Sequence, residues 1–268
     1  VLRADVDNLG QTFVAGFAGK YATLSRTAAL SRQLSIFFKY YIRSILKNGE
    51  YHIDGEKKLT ERNATIVYSG GDDVFIVGAW NEVIELSIDL QEKFKKYTQG
   101  TLSISSGIGI YECTYPIGAI ANETGEMEAE SKRMPEKDSV TLMDDGETHL
   151  INELEICDGT YRWEELYKSV LGEKYDVIQD FLGESDERGM SFLYRMLELI
   201  RNQKEKINFA RFVYLLSRLE PDKEGEKKEK YRKFSRKMYQ WVQSEKDCRE
   251  LKTAINLYAY MHREKGAH

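Results

Sequence analysis

The spacing of apolar residues changes along this chain, and the change separates two architectures. Val1 to Asp7 is a short apolar run ending in acids, and it predicts a buried strand. In LSRQLSIFFKYYIRSIL, residues Leu30, Leu34, Phe37, Phe38, Tyr41, Ile42 and Ile45 fall at helical spacing and predict a helix with one broad apolar face. KNGEYHIDGEKKLTERN reads as a polar connection. In IVYSGGDDVFIVG, two runs rich in β-branched and aromatic residues flank Gly70-Gly71, the pattern of a tight hairpin. Asn81 is placed to cap a helix running to about Tyr97, with Val83, Leu86, Leu90 and Phe94 on its inner face. LSISSGIGIY alternates as a strand does, and Pro116 suits the first turn of a third helix carrying AIANETGEMEAESKRM. SVTLM predicts the last short strand.

This order of strand, helix, two strands, helix and strand, followed by another helix and strand, is the ferredoxin-like pattern of polymerase palms and nucleotide cyclases. From about Thr160 the texture changes. Apolar residues recur at three and four in FLYRMLELI, FARFVYLLSRL and AINLYAYM, which predicts a helical bundle. The expected class is α+β, with a palm over residues 1–150 and an all-α bundle over 151–268, the boundary falling in DDGETHLINELEICDG.

Composition adds limits. With 41% hydrophobic and 31% charged residues, the chain has material for a core, and a net charge of −5 makes any nucleic-acid contact a matter of a local patch. Cys113, Cys157 and Cys248 lie far apart without metal-type spacing, as expected of free thiols in a reducing cytoplasm. No run approaches the roughly 18 apolar residues of a membrane span. Val1 already stands inside an apolar run, so the chain reads as a piece of a longer protein.

The candidate chemistry lies in the acids. Asp5 and Asp7 are two apart on the first strand, so their side chains leave one face of the sheet. The ferredoxin-like order sets that strand beside the hairpin and brings both near Asp72 and Asp73. Carboxylates crowded in this way stay ionised only when a cation neutralises them, and hard oxygen donors select Mg²⁺ or Mn²⁺. Two such ions about 3.5–4 Å apart serve in-line attack on a phosphate. Gly70 and Gly71 leave room for a triphosphate beside the backbone. A bare Gly-Gly-Asp-Asp also reads as a solvated hairpin tip; the second acidic pair favours metal-dependent nucleotidyl transfer.

LRADVDNLG, LSRQLSIFF, YSGGDDVFIVGAW, LSISSGIGIY and AESKRMPEKDSVTL stand in an order that resembles the large catalytic subunit of type III-A CRISPR effector complexes, a family related to the diguanylate cyclases. The likeness continues more loosely into KINFARFVYLLSRL. The resemblance implies a second palm domain that joins ATP 3′ to 5′ into cyclic oligoadenylates, with release of pyrophosphate, once guide and target RNA are paired in the complex. It implies Asp5 as a first-strand metal ligand with Asp7 beside it, Asp72 and Asp73 as the paired catalytic acids on two Mg²⁺ or Mn²⁺ ions, and Lys132 and Lys137 on the triphosphate, although their spacing departs by one residue from the related cyclases. It also implies other type III-A subunits, the small subunit among them, as partners. An amino-terminal nuclease domain and a first palm would lie upstream of Val1; none of His52, His149, His262 and His268 precedes an aspartate. The alternatives are a diguanylate cyclase-like enzyme, against which Asp-Asp replaces a glutamate-phenylalanine pair, and a non-catalytic palm that binds RNA and subunits.

Two further features carry two readings each. Ser25-Arg26 and Ser31-Arg32, near the start of the first long helix, suit phosphate or nucleobase contact, with Ser31 the nucleotide-binding candidate, or an ordinary wet helix face. The seven basic residues between Lys227 and Lys237, interleaved with Tyr231 and Phe234, suit an RNA backbone, a neighbouring subunit or plain solvent. Tyr161, Trp163, Tyr167, Trp241, Tyr258 and Tyr260 read as bundle core.

Overall fold

A computed structural model describes residues 1–53, 55, 58–144, 146–183, 188–201 and 206–263. They form two compact units, Val1–Trp163 and Glu164–His268.

In the first unit the elements run β1 (Leu2–Val6), α1 (Leu9–Ala15), α2 (Leu24–Ile36), α3 (Ile42–Lys47), β2 (Ala64–Gly70), β3 (Asp73–Gly78), α4 (Trp80–Tyr97), β4 (Ile104–Ile108), α5 (Ile117–Ser131), β5 (Ser139–Leu142), β6 (Thr148–Ile151), β7 (Leu154–Cys157) and β8 (Thr160–Arg162). The sheet order is β2-β3-β1-β4-β5-β8. β1 is antiparallel to both neighbours, and β5 joins β4 in parallel after the α5 crossover. The ferredoxin-like palm is therefore present, extended by β5 and β8.

A wide helical turn at Phe37–Tyr41 links α2 to α3. It turns Phe37 and Phe38 inward with Leu34, Ile42 and Ile45, and leaves Tyr41 exposed where regular helical spacing predicts burial. Phe37, Phe38 and Phe94 meet with ring centroids 5.1–5.9 Å apart, the tilted geometry aromatic rings prefer. Burying each contributes roughly 1.5–3 kcal/mol. The residue before α4 is Ala79, so Asn81 lies inside the helix and does not cap it, while Val83, Leu86, Leu90 and Phe94 are buried as their spacing requires. The polar connection before β2 is pinned to α4. Asp89 accepts from the Glu50 and Tyr51 amides, Glu85 accepts from the Ile53 amide, and buried Arg62 donates to both carboxylates.

SVTLM is not the last strand. β6 and β7 form a hairpin through Asn152 and Glu153, both at positive φ, a turn that an Asn-Glu pair announces less plainly than Asn-Gly. β8 pairs with β5, and the Trp163 indole donates to the Ile104 carbonyl at 2.8 Å. These bonds carry the palm unit beyond residue 150 to Trp163. Tyr161 and Trp163 accordingly belong to the palm core.

Every regular element described in the second unit is a helix. α6 (Trp163–Glu165) leads into a wide helical stretch at Leu166–Tyr175, followed by α7 (Asp176–Leu182), α8 (Arg188–Arg201), α9 (Lys206–Ser217), α10 (Glu226–Trp241) and α11 (Glu245–Arg263). On α10, Tyr231, Phe234, Met238 and Trp241 are buried, so the interleaved aromatics are core. Five of its seven cations face acids: Lys228 meets Glu220 and Glu224, Lys230 meets Glu226, Arg232 meets Glu224, Lys233 meets Asp180, and Lys237 meets Glu173. That pairing leaves the run far less positive than its composition suggests. Tyr258 is buried with Trp241, whereas Tyr260 is 36% exposed. Among the described residues no helix is long and apolar enough to cross a membrane.

Candidate active site

The hairpin turn sits on Gly71 and Asp72; Gly70 still pairs with Asp73 and closes the ladder. Gly71 has φ +67°, a conformation that L side chains rarely adopt, so this position needs glycine. Gly70 has a different constraint. A Cβ there would come within 3.2 Å of the Tyr68 hydroxyl, whose pKa the charge of nearby Asp73 raises. Tyr68 was not among the residues singled out in the sequence, although its place two residues before Gly70 puts both on one face.

β1 brings Asp5 directly opposite Asp73, and the Val6 amide donates to the Asp72 carbonyl at 3.2 Å. Like charges directly opposite in an antiparallel pair repel. The effect is visible on Asp72: burial, then the charges of Asp5 and Asp73, raise its pKa against the pull of its own backbone amide and Lys132. All of Asp5, Asp72 and Asp73 are half-buried, so the tip is less solvent-facing than a bare hairpin end.

Lys132 stands at the C-cap of α5 and donates to Asp5 and, at 2.7 Å, to Glu128. Burial lowers its pKa, but the bonds to Asp5 and Glu128 outweigh that and raise it. Arg3 completes an alternating chain by meeting Glu128 at 2.8 Å. Glu128 and Arg3 also escaped the sequence reading; the spacing of four between Glu128 and Lys132 was the available signal.

The remaining candidates lie elsewhere. Lys137 donates to Asn8 Oδ1 at 2.7 Å. Asp7 is buried and accepts from Ser103, Ser105 and the Asp138 amide. Ser31 is on the exposed face of α2, and no hydrogen bond or ion pair joins it to the four acids among the described residues. Thr23 caps that helix through the Arg26 amide, while the Arg26 guanidinium lies 4.3 Å from the Tyr21 ring centre.

Among the described residues no three His, Cys, Asp or Glu side chains converge closely enough to hold a metal ion. In donor type and charge, Asp5, Asp72 and Asp73 nevertheless suit a hard divalent cation, because three mutually repelling carboxylates face one lysine.

The family model for the second palm domain of Cas10/Cmr2 matches residues 1–141. The chain belongs to the Cas10 family. A second model, the second helical domain of the Cmr2 subunit of the CRISPR RNA silencing complex, matches residues 179–264. The chain is 43% identical over 270 residues to a Cas10/Csm1 protein of subtype III-A from Mycobacterium tuberculosis, a CRISPR system single-strand-specific deoxyribonuclease, covering 99% of this chain and 32% of that one. It thus spans about a third of the curated relative's length. Two crystal structures of a Csm1-Csm4 cassette match with 25% and 26% identity and TM-scores of 0.70 and 0.66, covering 96% and 95% of this chain and 36% and 35% of theirs. One is in complex with pppApApA, the other with one ATP. This chain is the second-palm and helical portion of a type III-A Cas10-type large subunit.

Proposed function

We propose that this portion of the large subunit carries the acids that join ATP into cyclic oligoadenylates, within an RNA-activated type III-A effector complex. The observation that carries the reading is the register that sets Asp73 opposite Asp5 with Asp72 beside them, three carboxylates facing one ammonium group. The matched cassette that holds ATP and the one that holds pppApApA support adenylates as the substrate class.

In each step the 3′-oxygen of one adenylate bonds to the α-phosphorus of the next, the bond to pyrophosphate breaks, and the hydroxyl proton leaves to solvent. Asp5, Asp72 and Asp73 are the residues that would hold Mg²⁺ or Mn²⁺. When bound there, such ions would activate the hydroxyl and neutralise charge on the leaving group. Lys132 and Lys137 steady the triphosphate, and Gly70 and Gly71 keep side chains away from it. Ser31, beside Arg32 near the start of the first long helix, is assigned to the nucleotide. Positioning and electrostatics supply most of the rate in phosphoryl chemistry. The first palm, guide and target RNA, and the other subunits, including the small subunit and a counterpart of the Csm4 seen in the cassettes, complete the cytoplasmic assembly.

The test uses the complete large subunit in its complex with target RNA. Asp72→Ala together with Asp73→Ala should abolish oligoadenylates made from radiolabelled ATP, with RNA gel shift and circular dichroism unchanged. Synthesis at the wild-type rate would remove the acids from the chemistry and favour a scaffold palm. A product from GTP in place of ATP would favour the diguanylate cyclase-like reading.

A further inference from the structure

Asp7 lies just past the end of β1, two residues after Asp5, and has different surroundings. Its residue is 2% exposed. Its Oδ2 accepts from Ser103 Oγ at 2.7 Å, Ser105 Oγ at 3.0 Å and the Asp138 amide at 3.2 Å, while Oδ1 is buried without a hydrogen-bond partner. The two serines belong to β4 and the turn before it, so they secure the carboxylate from one side. The Asp138 amide comes from the other side, at the end of the connection from α5 to β5.

That connection is conformationally costly. Glu136, Lys137 and Asp138 are consecutive non-glycine residues at φ +71°, +55° and +48°. L residues reach this region at a steric penalty, and a run of three persists only where neighbours hold it. The neighbours are identifiable. Asp7 takes the Asp138 amide, Gln91 donates to the Asp138 carboxylate at 3.1 Å, Lys137 reaches Asn8 at 2.7 Å, and the Trp163 amide donates to the Asp138 carbonyl at 3.3 Å. Lys132, which faces Asp5, stands at the start of the same connection.

We propose that Asp7 is a positioning residue: its buried carboxylate locks the Glu136–Asp138 turn, so that the α5–β5 connection holds Lys132 against Asp5 and Lys137 against Asn8, and it does not ligate metal. The proposal rests on the reading of those lysines as triphosphate contacts.

The experiment again uses the complete large subunit in its RNA-bound complex. Asp7→Ala should raise KM for ATP roughly tenfold, as loss of a charge-assisted hydrogen bond does, with kcat within about threefold and the Mn²⁺ midpoint unmoved. Asp7→Asn keeps an acceptor for the Asp138 amide and puts its nitrogen where Oδ1 meets no donor, so it should recover most of the KM. Amide exchange across residues 133–138 should quicken in Asp7→Ala and stay near wild type in Asp7→Asn. In a Lys137→Ala background the further KM increase from Asp7→Ala should shrink, because the two changes act through one turn. An Asp7→Asn complex as inactive as Asp7→Ala, with a raised Mn²⁺ requirement, would make Asp7 a metal ligand and overturn the proposal. Unchanged KM and exchange in Asp7→Ala would overturn it as well. If Asp7→Ala fails to assemble, Asp7→Asn decides alone, since a ligand role predicts a dead complex and a positioning role an active one. Failure of the synthetase reading shows separately, as oligoadenylates persisting in Asp72→Ala plus Asp73→Ala, and leaves the exchange result intact.

Discussion

Lys174 in the helical unit and Lys132 in the palm unit both sit among carboxylates, and they are built in opposite ways. The Lys174 side chain is 2% exposed, 2.8 Å from Asp247 and 2.5 Å from Glu250, with its ammonium 5.2 Å from the Trp241 ring centre. Lys237 and Lys246 join from outside, so Lys174, Lys237 and Lys246 face Glu165, Glu173, Asp247 and Glu250, three cations against four acids. The Lys132 side chain is 25% exposed, and the balance around it differs. Lys132 and Arg3 face Glu128, Asp5, Asp72 and Asp73, two cations against four acids. A buried ammonium held against a buried carboxylate, as Lys174 is against Glu250, is already paired and serves the fold. A half-buried cluster with surplus acid keeps an unmet demand for positive charge, which is a functional signature.

The contrast breaks most sharply when each lysine is removed. Lys174→Met should cost about 3–5 kcal/mol, the usual result of leaving a buried carboxylate uncompensated, here Glu250 at 1% side-chain exposure. Lys132→Met should cost at most about 1 kcal/mol, because water screens the partly exposed pair. Urea unfolding of the two variants measures the gap. Equal losses would mean that the tip is a structural ion cluster like the other.

Residue pattern reveals the helices and hairpin that place the site, because each has one face turned to the core: Val83, Leu86, Leu90 and Phe94 on α4, and Val74 and Ile76 on β3. Adjacency follows, since the ferredoxin-like order sets β1 beside β3, whereas the register that puts Asp5 opposite Asp73 is seen only in the pairing. Pattern fails where partners distant in sequence decide. The charge run on α10 looks free until acids such as Asp180 and Glu173 meet it. Asp7 looks equivalent to Asp5 until Ser103, Ser105 and Asp138 close on it. β8 is only three residues long, and its identity as a strand comes from pairing with β5.

The acid surplus also predicts a pH response. The pKa of Asp72 is raised in the folded chain, by burial first and then by Asp5 and Asp73. The folded state therefore binds this proton more tightly than the unfolded state does. Its stabilising contribution is complete below the ordinary aspartate value of 3.8 and is lost as pH rises through the higher folded pKa. With chelator present, Asp72→Asn should remove that decline and gain on wild type as pH rises above the ordinary aspartate value. Parallel stability curves for the two proteins would show that Asp72 feels no net repulsion.

The smallest expected effect is the most direct probe of the surplus. If Asp5, Asp72 and Asp73 share repulsion that Lys132 only partly relieves, a divalent cation that binds the folded tip must stabilise the chain by mass action. Millimolar Mg²⁺ or Mn²⁺ should raise Tm by about 2–4 °C, the shift that corresponds to roughly 1 kcal/mol at this chain length. Asp73→Asn removes one charge from the pair opposite Asp5, so it should raise Tm in chelator and blunt the rise with metal. Lys174 is already paired with buried Glu250, so the Lys174→Met variant should keep the full metal response from its lower starting Tm. Calorimetric scans of the three proteins, with and without metal, give all six values. A metal response that survives Asp73→Asn unchanged would move the cation away from the hairpin, and the distinction between a saturated cluster and an unsaturated one would no longer mark the site.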